Sequence, residues 1–353
     1  MGVVLVTTFA IGCILPLAIA YPNLDYLGNT TFQLRFFNSV PGRLNDFGRS
    51  LHTIETLTGV LPEWQSEDNS PGRRNNLLEV AKRLNLTKLV EAVTKVGLHR
   101  VLNHEGPFTL FAPTNEAFDN VPGYCSNVPL LDVIKYHVAL GSHKKTEFKN
   151  NVQLNTLLTG RRVRVNIYPN TKEITASGRS VSAPDNIASN GVLHVLSGVM
   201  CALYKGNAAF ELQRCSSFSM LNSFINKTDL YNTLNDDKPL TVFAPTDSAF
   251  AKLSPDLIND LKNNVTALKE VLLYHVVPDV WYAAGLSPGQ LKTLQGQKLT
   301  VDVDAGAITV NDAAVVLPDA TVGNGVVHAI DTVLLPKLVT SAGSLFEPSV
   351  SIV

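Results

Sequence analysis

Phe108–Phe118 reads FTLFAPTNEAF, and Leu240–Phe250 reads LTVFAPTDSAF. Two further blocks recur in the same order. Tyr136-His137-Val138 returns as Tyr274-His275-Val276, and Asn190–Met200 (NGVLHVLSGVM) returns as Asn324–Leu334 (NGVVHAIDTVL). The second members follow the first by 132, 138 and 134 residues. So constant an offset is too long for a solenoid repeat and matches a whole small domain. The 353-residue chain is therefore expected to hold two tandem copies of one folding unit, with a shorter segment ahead of them.

Each copy follows the same plan. Helical periodicity comes first: Leu77, Leu78, Ala81, Leu84, then Leu89, Val90, Val93, Val96 in one, and Phe218, Leu221, Phe224, Ile225, then Leu230, Tyr231, Leu234 in the other. A short apolar strand follows and stops at Pro113 or Pro245. Thr114 and Thr246 are placed to accept from exposed amides at a helix start, with Glu116 and Asp247 suited to the first-turn dipole. A helix over Leu130–His137 or Leu268–His275 ends in Tyr-His. After it, Val163, Val165, Ile167 and Leu299, Val301, Val303 alternate as strands do. The Asn-Gly pairs at 190/191 and 324/325 read as tight turns with positive φ entering the last strand. Helices first and strands later predict an α+β fold with a largely antiparallel sheet.

The T-x-F-A-P-T block, the Tyr-His pair and the N-G-V-x-H block, in that order, resemble the fasciclin domain, over roughly residues 76–206 and 207–338. The resemblance implies a β-sandwich wedge with a helical cap in each copy, and a role in cell adhesion or extracellular-matrix assembly without enzymatic activity. It also implies receptor contacts. Integrin recognition in such matrix proteins is assigned to the Tyr-His region and to a Pro-Asp-Ile segment. These carry over to Tyr136, His137, Tyr274 and His275, and to Pro184, Asp185, Pro318 and Asp319. Pro-Asp is present twice here, but the isoleucine directly after it is not. A turn alone is the plainer reading of Pro-Asp. An exposed aspartate on a proline-stiffened turn offers a carboxylate to a metal ion held by a receptor. No Arg-Gly-Asp occurs, and Leu131-Asp132-Val133 falls inside the expected helix.

Residues 1–20 are apolar with no charged side chain, and Ala18-Ile19-Ala20 supplies a small-x-small pattern. They read as a secretory signal cleaved before Tyr21, an uncleaved anchor being the alternative. Residues 21–75 mix aromatics with a polar, breaker-rich end and hold no third copy of the blocks; residues 339–353 form a tail without a hydrophobic stretch. The expected product is secreted to the extracellular space or matrix. Of the cysteines left after cleavage, Cys201 and Cys215 bracket the join between copies and are the favoured pair; three buried free thiols are the alternative. Asn29, Asn85, Asn226 and Asn264 are N-x-S/T acceptors if they lie on the surface.

A formal net charge of −1 supplies no field for a phosphate backbone, which argues against nucleic-acid binding. His137, His194, His275 and His328 recur at matching places, yet no third ligand sits at metal spacing from any of them, so no metal or other cofactor is expected. Asp331 near His328 suggests a triad only until the matching position is read, which is Ser197. G-x-S-x-G, H-E-x-x-H, P-loop and G-x-G-x-x-G signatures are missing. Arg161, Arg162 and Arg164, following Lys144 and Lys145, form a candidate patch for sulfated glycans or acidic matrix. Strand alternation sets Arg162 and Arg164 on one face, where a solvated exterior is the plainer reading. Two functions result: an adhesion or matrix protein that binds receptors, matrix components or other copies of itself, and, as the alternative, an extracellular carrier of a small apolar ligand.

Overall fold

The computed structural model describes residues 75–122, 125, 127–201 and 206–337. The expected signal, the segment before residue 75, the acceptor Asn29 and the tail lie outside these residues. Each copy is sheet-rich with helical elements. In the first, α1 (Leu77–Arg83), α2 (Thr87–Lys95) and α3 (His99–His104) precede β1 (Phe108–Pro113). Then come α4 (Asn115–Asp119), α5 (Leu130–Tyr136), β2 (Val138–Leu140), β3 (Val152–Asn155), β4 (Arg162–Tyr168), β5 (Glu173–Ala176), β6 (Arg179–Ala188) and β7 (Gly191–Leu196). The second runs through α6 (Ala208–Gln213), α7 (Ser219–Lys227), α8 (Tyr231–Asn235), β8 (Leu240–Pro245), α9 (Asp247–Phe250), α10 (Pro255–Asn263) and α11 (Val265–Tyr274). It ends with β9 (Val276–Pro278), β10 (Gly289–Lys292), β11 (Lys298–Asp304), β12 (Ala307–Val310), β13 (Ala313–Val322) and β14 (Gly325–Ile330).

The two strand orders are the same order, β2-β1-β7-β6-β5-β4-β3 and β10-β11-β12-β13-β14-β8-β9 read from the other end. Every pairing is antiparallel except β1 with β7 and β8 with β14, so the T-x-F-A-P-T and N-G-V-x-H blocks lie side by side in parallel. That places Phe111 against His194 and Phe243 against His328, with ring centroids 5.6 and 5.4 Å apart. Two register shifts bend β6 and two bend β13 at the Pro-Asp segments. Each long strand thereby serves two parts of its sheet. A bridge between Ala139 and Thr156 brings β2 near β3, so the first sheet curls toward closure. One core packs helices α1–α3 on β1 and β7, and a second fills the space among β4, β5 and the other face of β1.

Thr114 and Thr246 cap their helices as expected, accepting from Ala117 and Ala249 amides. The Asn-Gly pairs do more than turn. Asn190 accepts from Leu77 N–H at the start of α1 and donates to Leu102 O and Glu105 O at the end of α3. Asn324 does the same for the second copy, with Ala208 N–H, Leu234 O and Asp236 O. Close approach requires both glycines: a Cβ at Gly191 would sit 2.0 Å from Phe108 O, and one at Gly325 1.8 Å from Leu240 O.

Both copies belong to one compact unit and interlock where they meet. Tyr168 at the end of β4 donates to Val280 O and accepts from Tyr282 N–H, and its ring lies 5.6 Å from that of Trp281. Arg164 donates to Gly323 O at 2.8 Å. Tyr168 packs on Gly285, and Tyr282 reaches back onto Gly178. The outer face of β4 is consequently buried from Arg164 to Tyr168. The same face of β11 carries Lys298, Thr300, Asp302 and Asp304 in the open. A Cβ at Gly285 would stand 2.2 Å from the Tyr168 ring. Gly285→Ala is therefore expected to lower stability by about 1–3 kcal/mol and to raise solvent exposure of Trp281, read by thermal unfolding and tryptophan emission. An unchanged midpoint and spectrum would contradict the interlock.

Candidate functional site

The Tyr-His pairs close the α5 and α11 helices and are built inward. His137 Nδ1–H donates to Val133 O at 2.8 Å, and its Nε2 accepts from Met200 N–H at 3.0 Å. His275 repeats both contacts with Val271 O and Leu334 N–H. A ring nitrogen that accepts from an amide must be unprotonated, and burial holds both histidines near pKa 4, below the usual 6.5. Tyr136, 4% exposed, bonds Ser177 and Arg162 O; Tyr274 donates to Lys298 O and accepts from Asn311. The direct receptor contact expected of Tyr136, His137, Tyr274 and His275 is thus corrected. All four are core side chains whose polar atoms are already spent on neighbouring elements.

The second histidine pair serves the Pro-Asp turns. His194 Nδ1 accepts from Asp185 N–H, and its Nε2–H donates to His143 O. His328 does so with Asp319 N–H and Trp281 O. Burial lowers the pKa of both. Asp185 and Asp319 hold φ values of 60° and 65°, a left-handed conformation that aspartate tolerates better than most residues. Their Oδ1 atoms accept from Lys145 N–H and Ala283 N–H, each opening a short 3-10 turn. In the second copy this clamped segment runs Val-Trp-Tyr-Ala-Ala-Gly over 280–285 and docks on the first copy. In the first it runs Ser-His-Lys-Lys-Thr-Glu over 142–147, mostly exposed. Only the Asp185 turn therefore stands clear of the junction, with Ile187, 52% exposed, two residues on. Asp185 Oδ2 takes no hydrogen bond from the described residues.

Between the copies lies a cleft of about 460 Å³ lined by Arg161, Arg162, Arg164 and Tyr136 on one side and Asn207, Asp237 and Thr321 on the other. Arg162 is exposed as the alternation predicts. Arg164 is not; at 4% exposure it is corrected from solvated face to junction residue, because the second copy covers the outer face of β4. Cys201, also on the cleft wall, pairs with Cys125, their Cα atoms 5.9 Å apart. The Cys201–Cys215 pairing is corrected accordingly. Cys201 leaves β7 beside the loop that follows α4, whereas Cys215 sits in the second copy's core at the end of α6 and is itself disulfide-bonded. Asn85, Asn226 and Asn264 are exposed, and Leu131 and Val133 point to different environments on α5. Among the described residues no cluster of three or more His, Cys, Asp or Glu converges, and no helix is long and apolar enough to cross a membrane.

The fasciclin domain profile matches residues 84–202 and again 216–336. The chain belongs to the fasciclin family. Both matches fall on the two sheet-rich copies, and together they cover more than half of the sequence. The chain is 30% identical over 271 residues to the rabbit (Oryctolagus cuniculus) transforming growth factor-beta-induced protein ig-h3, covering 75% of this chain and 38% of that one. It is 28% identical over 248 residues to human periostin, covering 68% and 29%. It thus spans about a third of the length of these relatives. The solved FAS1 domain pair of the insect cell adhesion molecule Fasciclin I aligns with 72% of this chain and 98% of its own, at 19% identity and a TM-score of 0.36. Fasciclin-family proteins are structural and adhesive, not enzymatic. The recurrent histidines agree with that, since each is held by backbone groups in a fixed tautomer.

Proposed function

We propose that this fasciclin protein is exported, glycosylated at exposed sequons, and works as an extracellular adhesion or matrix protein that binds cell-surface receptors, integrins among them. Each fasciclin domain would act as a wedge of packed sheet with helices at one end. The family match over both copies carries the reading, and the interlocked junction supports it. Two copies held in one orientation let the second contact form at high effective concentration once the first is made. The Asp185 turn is the receptor contact of choice, because its Oδ2 takes no hydrogen bond from the described residues and Ile187 supplies an apolar neighbour in the open. The carrier alternative loses ground, since the cleft between the copies is lined by arginine and amide side chains instead of an apolar wall.

Cells are expected to spread on surfaces coated with the full chain, and chelation of divalent cations should abolish spreading. Asp185→Asn keeps the Oδ1 acceptor for Lys145 N–H while removing the charge. It should cut spreading several-fold without altering the thermal midpoint. Spreading equal to the parent's would remove the Asp185 assignment, and no spreading by the parent would overturn the adhesive reading.

A further inference from the structure

Among the described residues, the cleft between the fasciclin domains is lined by three guanidinium groups and one carboxylate, Asp237, which already accepts from Asn207. Arg164 is buried, yet among the described residues its guanidinium uses one of five N–H donors, in the bond to Gly323 O. A guanidinium buried this deeply ordinarily finds a carboxylate or several carbonyls. Among the described residues Gly323 O is the one acceptor that meets the Arg164 guanidinium, and the group borders a cavity whose size falls within the roughly 300–1,000 Å³ typical of small-ligand sites. Arg161 and Arg162 continue the positive wall toward solvent. Gln153, Asn155 and Thr321 add groups that both donate and accept.

We infer that this cleft is a binding site for an acidic saccharide, one bearing sulfate or carboxylate groups on a hydroxyl-rich ring. The arginines supply planar, charge-assisted donors for the anionic oxygens, and the amide and hydroxyl side chains match the two-way hydrogen bonding of sugar hydroxyls. An apolar ligand would strand these donors, and a bare inorganic anion would leave the amide side of the cleft unused. One wall comes from each fasciclin domain, so the site exists only while the junction is closed. The second copy has no equivalent, because Arg161, Arg162 and Arg164 are replaced by Gln297, Lys298 and Thr300, and Gln297 is bonded in both directions to Lys337. The inference rests on the adhesive reading for the source of its ligand, an acidic matrix polysaccharide.

Titration calorimetry of the full chain with a heparin-derived tetrasaccharide, a hyaluronan tetrasaccharide and a neutral chitin tetrasaccharide tests it. Binding of one or both acidic sugars at one site per chain, weakening as salt rises, and no binding of the neutral sugar are expected. Arg162→Ala, at an exposed position, should weaken binding about tenfold with an unchanged thermal midpoint. Arg164→Lys, which keeps the charge and loses the planar fork, should weaken it as well. Equal affinity for the neutral sugar, native affinity in Arg162→Ala, or no acidic-sugar binding would overturn the site. Cell spreading measured on the same preparations separates the two readings. Spreading without saccharide binding removes this inference alone, whereas saccharide binding without spreading removes the adhesive function and keeps the cleft.

Discussion

Acidification from pH 6.5 toward pH 4 should unfold this protein. His137 and His275 are neutral and buried in the folded state with pKa near 4, against about 6.5 when unfolded. Between those values the unfolded chain binds protons that the folded chain refuses. Stability is therefore complete above about pH 6.5 and declines as pH falls through that window. At about 1.36 kcal/mol per pKa unit, the loss approaches roughly 3 kcal/mol for each histidine by pH 4. His194 and His328 add to it in the same direction, since burial lowers them too. Thermal midpoints followed by circular dichroism from pH 7.5 to pH 4 check the slope. Imidazole proton shifts of His137 and His275 that begin to move above pH 6 would show that the two rings are not held as described.

Asn324→Ala should destabilise the second copy as much as truncating a buried core side chain. It strands the Ala208 amide at the start of α6 and the Leu234 and Asp236 carbonyls at the C-terminal end of α8, where bonds of 2.7–3.0 Å now hold them. Three orphaned backbone groups cost about 1–3 kcal/mol each when buried and less where water reaches, so a net loss of about 3–5 kcal/mol is expected. That corresponds to a midpoint lowered by about 10 °C. Asn190→Ala removes the matching contacts at a more open site and should cost less. A midpoint for Asn324→Ala within two degrees of the parent would deny the bracing role.

The reach of sequence reasoning differs between blocks. Repeat spacing and strand alternation speak of backbone order, and they place Val163, Val165, Leu299 and Val301 correctly in the cores. Partner choice between distant segments leaves no such trace. Cys125 and Cys201 are 76 residues apart and meet only because β7 ends beside the loop after α4. A histidine that ends a helix is expected to hold a backbone bond in place, as His137 does with Val133 O, but its second partner, Met200 N–H, 63 residues on, has no trace in the sequence. The burial of Arg164 does have a signal in the sequence. Set copy against copy, Arg164, Asn166 and Tyr168 stand where the second copy has Thr300, Asp302 and Asp304. A face that is charged in one copy and holds tyrosine and amide in the other is a face with a neighbour.

That divergence bears on how freely the halves can be exchanged. Segments 142–147 and 280–285 occupy matching places in the two copies, yet only the aromatic version fits the tyrosine that awaits it. A chimera built from two first halves would bring lysines to that socket, and one built from two second halves would bring aspartates to the aromatic plug. The two copies share one plan but are a left hand and a right hand: only in the native order do they clasp.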